Sequence, residues 1–159
     1  MAKLDDSQKT ISVGIADKSP LMRTALRTLL NEDKRFQVEC ICKDAKEFLE
    51  KVGSVNVDVA IVGWVIPPGD ARFILDHLQP RPNAPRVVVY SGIESESAPV
   101  HVLAHGGAAF LSKNEEPEYL LDIVAEVARG QMVFPNLDVS RLNANPLSTL
   151  TLREREVLS

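Results

Sequence analysis

The chain has 159 residues, of which 45% are hydrophobic and 25% charged; that is the balance of a globular domain and excludes global disorder. A formal net charge of -4 excludes a basic nucleic-acid-binding surface spread over the whole chain and leaves room only for a local patch. No apolar run reaches the length of a membrane span, and Met1 to Thr10 is polar with no apolar signal core, so no membrane contact and a cytoplasmic location are expected.

Short strand-like runs alternate with amphipathic helical runs. Ile11 to Ala16 reads as a strand, and Ser19-Pro20 supplies an N-cap with proline at the first helical position. Leu21, Met22, Ala25, Leu26, Leu29 and Leu30 follow at helical spacing. Phe36 to Cys42 reads as a second strand. Asp44 to Val52 reads as a short helix, with Asp44 and Glu47 at capping-box spacing. Val57 to Val62, apolar apart from Asp58, is the third strand and has the pattern of one buried between helix layers. Pro67-Pro68-Gly69 marks a hard turn, and Asp70 can cap a helix carrying Phe73, Ile74 and Leu78. After the proline-rich loop Pro80 to Pro85, Val87 to Tyr90 is the fourth strand. A helix from about Ser97 to Ala104 stops at Gly106-Gly107. Ala108 to Leu111 is the fifth strand, and Pro117 opens a last helix stopped by Gly130.

Five β/α units in residues 11–130 predict an α/β fold, a doubly wound five-stranded parallel sheet with helices on both faces. In such sheets the functional crevice lies outside the C-terminal ends of the strands. The residues that follow the strands are Asp17-Lys18, Gly63-Trp64, Ser91-Gly92 and Ser112-Lys113. Residues 131–149 lack periodicity and read as a linker, and residues 150–159 read as the start of a helix with a capping box at Thr151 to Glu154.

Isolated polar and sulfur residues carry little chemistry. Cys40 and Cys42 lie two apart on a strand and share a face, a poor geometry for a disulfide, and are expected to be small buried residues. His101 and His105 stand one helical turn apart with no third ligand at a recognisable spacing, so surface histidines are expected. There is no phosphate-binding glycine loop and no nucleophile elbow. No metal, no cofactor and no enzymatic activity are expected.

Residues 11–130 resemble the receiver domain of two-component response regulators, in the NarL/FixJ branch that carries a LuxR-type helix-turn-helix. The resemblance rests on Ile15-Ala16-Asp17, Pro20 and Arg23, Asp58, Pro67, Val89-Tyr90-Ser91 and Phe110-Leu111-Ser112-Lys113, in that order and spacing. The tail from Leu150 to Leu158 resembles the opening of the LuxR-type DNA-binding domain, with Thr151, Arg153 and Glu154 at its start. The resemblance implies a CheY-like, flavodoxin-like sheet of order 2-1-3-4-5.

In that family two acidic residues after the first strand hold Mg2+, and an aspartate ending the third strand accepts the phosphoryl group. A Ser or Thr after the fourth strand and a Lys after the fifth contact the phosphoryl oxygens. Phosphoryl transfer needs such a nucleophile, a charge-neutralising metal and donors around the equatorial oxygens. Here the phosphoacceptor position falls on Gly63, which has no side chain, and the second acidic position on Lys18. Asp17, Lys18, Ser91 and Lys113 are then the remnant of the pocket, and Phe110 takes the position of the family's aromatic switch residue. The plainer alternatives are an Asp17 paired with Lys18 or Lys113, a locally bonded Ser91, a solvated Lys113 and a Phe110 that is simply core. Asp58 sits at the far end of its strand, about 16 Å away, too far to accept phosphate in place of Gly63.

The resemblance implies an atypical response regulator, a phosphorylation-independent DNA-binding transcriptional regulator when full length. This chain would be its receiver-like regulatory and dimerisation domain. A homodimer is expected, with DNA bound through a C-terminal domain missing from this chain and a sensor kinase or other protein as a further partner. The alternative is a stand-alone receiver-like adaptor that binds a signalling protein.

Overall fold

The computed structural model describes residues 9–92, 96–135 and 137. In chain order they form β1 (Ile11–Ala16), α1 (Pro20–Asn31), β2 (Phe36–Cys42), α2 (Ala45–Lys51), β3 (Val59–Gly63), β4 (Val65–Ile66), β5 (Gly69–Asp70), α3 (Ala71–Leu78), β6 (Arg86–Ser91), α4 (Ala98–Ala104), β7 (Ala109–Ser112) and α5 (Pro117–Ala128). The main sheet is parallel and five-stranded, in the order β2-β1-β3-β6-β7. That is the expected order once the small antiparallel pair β4-β5 is set aside. Among the described residues no helix is long and apolar enough to cross a membrane.

Side chains along a strand point alternately to the two faces of the sheet, and the two cores divide accordingly. Val13, Ile15, Val59, Ile61, Val88, Tyr90, Ala109 and Leu111 pack with Leu26 and Leu30 of α1 and with Leu120 and Val124 of α5. The intervening Ala16, Ala60, Val62, Val87, Val89 and Phe110 pack with Phe48 of α2, Ile74 of α3 and Val102 of α4. Apolar residues on both faces make these strands stable only when helices cover both sides. Beside Val13 the register of β1 on β2 shifts, and Cys40 instead of Glu39 comes opposite Gly14. Cys40 and Cys42 then both point into the second core as free, buried thiols, and their shared hydrogen bond pushes the Cys42 thiol up.

Helix starts follow the expected chemistry with small adjustments. Ser19 Oγ accepts from Met22 N at 3.2 Å, and Asp70 Oδ1 accepts from Arg72 N at 3.0 Å. Asp44 Oδ1 accepts from Glu47 N at 2.8 Å, while Glu47 Oε1 takes the amide of Lys43 rather than that of Asp44. Replacing Asp44 by Ala is therefore expected to destabilise the fold by about 1 kcal/mol, read by urea unfolding; no loss would mean solvent satisfies that amide equally well. Ser97, expected to open α4, is helical in backbone and makes no side-chain cap, so α4 begins at Ala98. The helix stops where Gly106 takes a φ of +93°, a conformation natural to glycine.

Three strands differ in their bounds from the sequence reading. The third strand, expected over Val57 to Val62, runs Val59–Gly63. Asp58 stands just before it, its Oδ2 accepting from both the amide and the hydroxyl of Ser12. The fourth and fifth strands each extend to the polar residue at their C-terminal end, Ser91 and Ser112, because those residues pair with each other. The turn at Pro67-Pro68 is a hairpin, its cis bond joining β4 to β5. The start of the stretch read as linker is docked on the sheet. Val133 bridges Ala109 in parallel, its amide donating to Ala108 O at 2.9 Å and its carbonyl accepting from Phe110 N at 3.2 Å. Residues 138–149 of the expected linker and residues 150–159 lie outside the described residues.

Candidate functional site

A parallel sheet brings the C-terminal ends of its strands to one edge. Ala16 pairs with Val62, Gly63 with Tyr90 and Ser91 with Ser112. Asp17, Gly63, Ser91 and Lys113, spread over about 100 residues of chain, therefore meet at this edge.

Asp17 is its centre. The residue is only 3% exposed, a polar exception in an apolar core. Its Oδ1 accepts from Ser19 N at 2.8 Å, which folds the chain into α1. Its Oδ2 accepts from Lys113 Nζ at 2.9 Å, an ion pair that ties β1 to β7 across the sheet. The carbonyl of Asp17 accepts from Arg23 Nη1 at 2.8 Å. Each oxygen of this buried carboxylate thus has a donor close by, the condition under which a buried charge is tolerable.

Lys113 is held from both ends. Its amide donates to Ser91 O at 2.7 Å, and its ammonium lies 5.9 Å from the centre of the Tyr90 ring. Burial pushes the Tyr90 phenol up. The alternative of a freely solvated Lys113 does not hold: Asp17 is its partner. Nor does the alternative of an Asp17–Lys18 pair. Neighbouring residues at the end of an extended strand point to opposite sides, so burial of Asp17 turns Lys18 outward. Lys18 is exposed and has no ion pair among the described residues.

Gly63 makes room for this arrangement. A Cβ built there would lie 3.0 Å from Asp17 Oδ2 and 3.5 Å from its Cγ. Any side chain at this position would therefore project onto the Asp17–Lys113 pair. A divalent cation, which the resemblance implies for the family, does not fit the residues present. Asp17 Oδ2 is engaged by an ammonium, and among the described residues no three His, Cys, Asp or Glu side chains come together as a metal group. Hard divalent cations need several oxygen ligands.

The remaining candidates fall elsewhere. Ser91 is buried at the end of β6, beside the site. Phe110, 8% exposed, points into the core shared with Val102 and Phe134, away from the face that holds Tyr90. Asp58 is at the opposite end of β3 and Asp70 caps α3. His105 Nδ1 lies 2.7 Å from Asp76 Oδ1, and desolvation pulls the His101 imidazole down. Thr151, Arg153 and Glu154 lie outside the described residues. Two contributors escaped the sequence reading: Ser19, whose backbone amide holds Asp17, and the Tyr90 ring beside Lys113. The first acts through a backbone group that nearly any residue has, and the second carries the same apolar signal as a core residue.

Residues 13–125 match the family model of the response regulator receiver domain. Among curated proteins, the chain is 36% identical over 149 residues to SgaR of Hyphomicrobium methylovorum, described as a probable transcriptional regulatory protein; the alignment covers 94% of this chain and 71% of SgaR. It is 28% identical over 163 residues to the nitrate/nitrite response regulator NarL of Escherichia coli K12, covering 96% of this chain and 75% of NarL. Among solved structures, a LuxR-family two-component response regulator from Aurantimonas sp. SI85-9A1 shares the fold with a TM-score of 0.78 at 15% identity. That match covers 86% of this chain and 100% of the other.

Proposed function

Because the chain belongs to the response regulator receiver family, we propose that it is the regulatory domain of a LuxR-type transcriptional regulator whose state is set without aspartyl phosphorylation. The observation that carries this reading is Gly63, at the end of β3, where a Cβ would lie 3.0 Å from Asp17 Oδ2. In this reading Gly63 stands at the phosphoacceptor position, Lys18 at the second acidic position, and Asp17, Ser91 and Lys113 are the pocket that remains. The Asp17–Lys113 pair then supports one fixed arrangement of the β1, β3 and β7 ends. In this reading the Lys113 ammonium supplies the counter-charge to Asp17 that a metal ion would otherwise supply. No chemical step follows from such a site, which is why no enzymatic activity is assigned.

The output belongs to a DNA-binding domain beginning at residues 150–159, with Thr151, Arg153 and Glu154 at its start in the sequence. The named relatives SgaR and NarL, a transcriptional regulator and a response regulator, support that assignment. The receiver-like domain sets the geometry of a homodimer, and a dimer suits a helix-turn-helix reading paired half-sites. A cytoplasmic location follows from a DNA target.

Incubation with acetyl phosphate and Mg2+, followed by intact-mass measurement, tests the reading. The mass is expected to stay unchanged. Gain of a phosphoryl group, labile as an acyl phosphate, would show that another carboxylate serves as acceptor and would overturn it.

A further inference from the structure

At the end of the sheet opposite Gly63 lies a basin of about 1300 Å³, between the start of β1, the α1–β2, α2–β3 and α3–β6 loops and the end of α5. Among the described residues five cations line it, Lys9, Lys34, Arg35, Arg86 and Arg129, against one carboxylate, Asp58. The chain as a whole is acidic, with a net charge of -4, so this concentration of positive charge runs against its average.

Among the described residues, neighbouring acids neutralise the basin only in part. Arg35 is answered by Asp33 at 2.8 Å and Asp122 at 3.2 Å. Asp58 accepts two hydrogen bonds from Ser12. Lys9, Lys34, Arg86 and Arg129 have no ion pair among the described residues. Arg86 is anchored by Nη2, which donates to Gln131 O at 2.9 Å, while its Nε is buried with no acceptor. A concave surface with unpaired like charges gathered around it is electrostatically incomplete: clustered like charges repel, and an anion held among them relieves that repulsion.

We infer that this basin binds a compact, multiply charged oxyanion, a polyphosphate or a polycarboxylate. The Arg129 guanidinium supplies a planar pair of N–H donors, Arg86 adds the charge of a guanidinium anchored on Gln131 O, and the ammonium groups of Lys9 and Lys34 supply point charges at the rim. Among the described residues the basin carries no aromatic side chain, so the charged group, rather than a stacked ring, is what it recognises. The site lies at the opposite end of the strands from Gly63 and does not depend on the reading of that pocket.

The test is calorimetric titration of the full chain with tripolyphosphate and, separately, with citrate, at constant ionic strength. Saturable one-site binding of either is expected, with a rise in melting temperature as ligand is added. Binding of tripolyphosphate alone assigns phosphate, and of citrate alone carboxylate. Lys34→Glu and Arg86→Gln are each expected to weaken binding by about tenfold or more. Lys34 is exposed, so its variant tests the site even if Arg86→Gln folds poorly. Lys46→Glu, on the exposed side of α2, should leave affinity unchanged. Binding of neither anion, equal loss in the Lys46 variant, or saturable binding of duplex DNA alone would overturn the inference.

Discussion

Lys113→Met is expected to destabilise the fold by about 2–3 kcal/mol, measured by urea unfolding. The substitution keeps most of the lysine stem and removes only the charge. Its cost arises at the other partner: Asp17, 3% exposed, keeps the Ser19 amide but loses the ammonium at 2.9 Å. A buried carboxylate stripped of its counter-charge costs more than the pair itself contributes, because the desolvation remains while the attraction is gone. The lysine side chain is 22% exposed, so water recovers part of the loss, and the figure sits below that for a fully buried pair. Asp17→Asn in the same background should restore much of the stability, since the amide needs no counter-ion. The double-mutant cycle should then give a coupling of about 1 kcal/mol or more. Strict additivity of the two substitutions would show that the pair makes no net contribution and would remove the basis for a fixed, metal-free arrangement.

Gly63→Asp is the complementary experiment. It places a second carboxylate beside Asp17, starting from a Cβ only 3.0 Å from Asp17 Oδ2. Gly63 is itself buried in β3, so the new charge cannot turn freely to water. One ammonium must then answer two carboxylates. At an effective dielectric constant of about 20, like charges roughly 4 Å apart repel by about 4 kcal/mol before Lys113 offsets part of it. A net loss of about 2 kcal/mol is expected in the absence of divalent cations. Mg2+ should recover it, because a cation between two carboxylates relieves their repulsion. Thermal melting with and without Mg2+ at constant ionic strength reads this directly. The natural chain should show no Mg2+-dependent shift, and Gly63→Asp should show a clear one. Adding Lys18→Asp to Gly63→Asp should enlarge the Mg2+ effect and permit a mass gain from acetyl phosphate. A Mg2+-stabilised natural chain would contradict a pocket held by Lys113 in place of a metal.

Much of this protein was determined by the sequence alone. The central strands β3 and β6 are short, mostly apolar runs whose successive side chains must be buried on opposite faces, and that demand alone calls for helices on both sides of a parallel sheet. Val59 to Val62 shows it plainly, with Val59 and Ile61 in one core and Ala60 and Val62 in the other. Helix starts at Ser19, Asp44 and Asp70 were equally legible, because a side-chain oxygen capping an amide two or three residues on is a local interaction. The absence of a side chain at Gly63 could be read from the residue type itself.

What depended on contacts between distant residues could only be decided by the tertiary structure. Whether Asp17 pairs with Lys18 or Lys113 is settled by burial at the end of β1, which sends its neighbour outward and brings in a side chain 96 residues away. The docking of Val133 on β7 was invisible because one backbone bridge at a sheet edge leaves no periodic pattern. The register shift beside Val13 aligned Cys40 with the second core, a consequence of strand pairing that neither strand's pattern specifies. The basic basin is assembled from residues near both ends of the folded domain and from three loops between them. In each case the deciding free energy lies in desolvation and pairing across the sheet, and these exist only after the strands have come together.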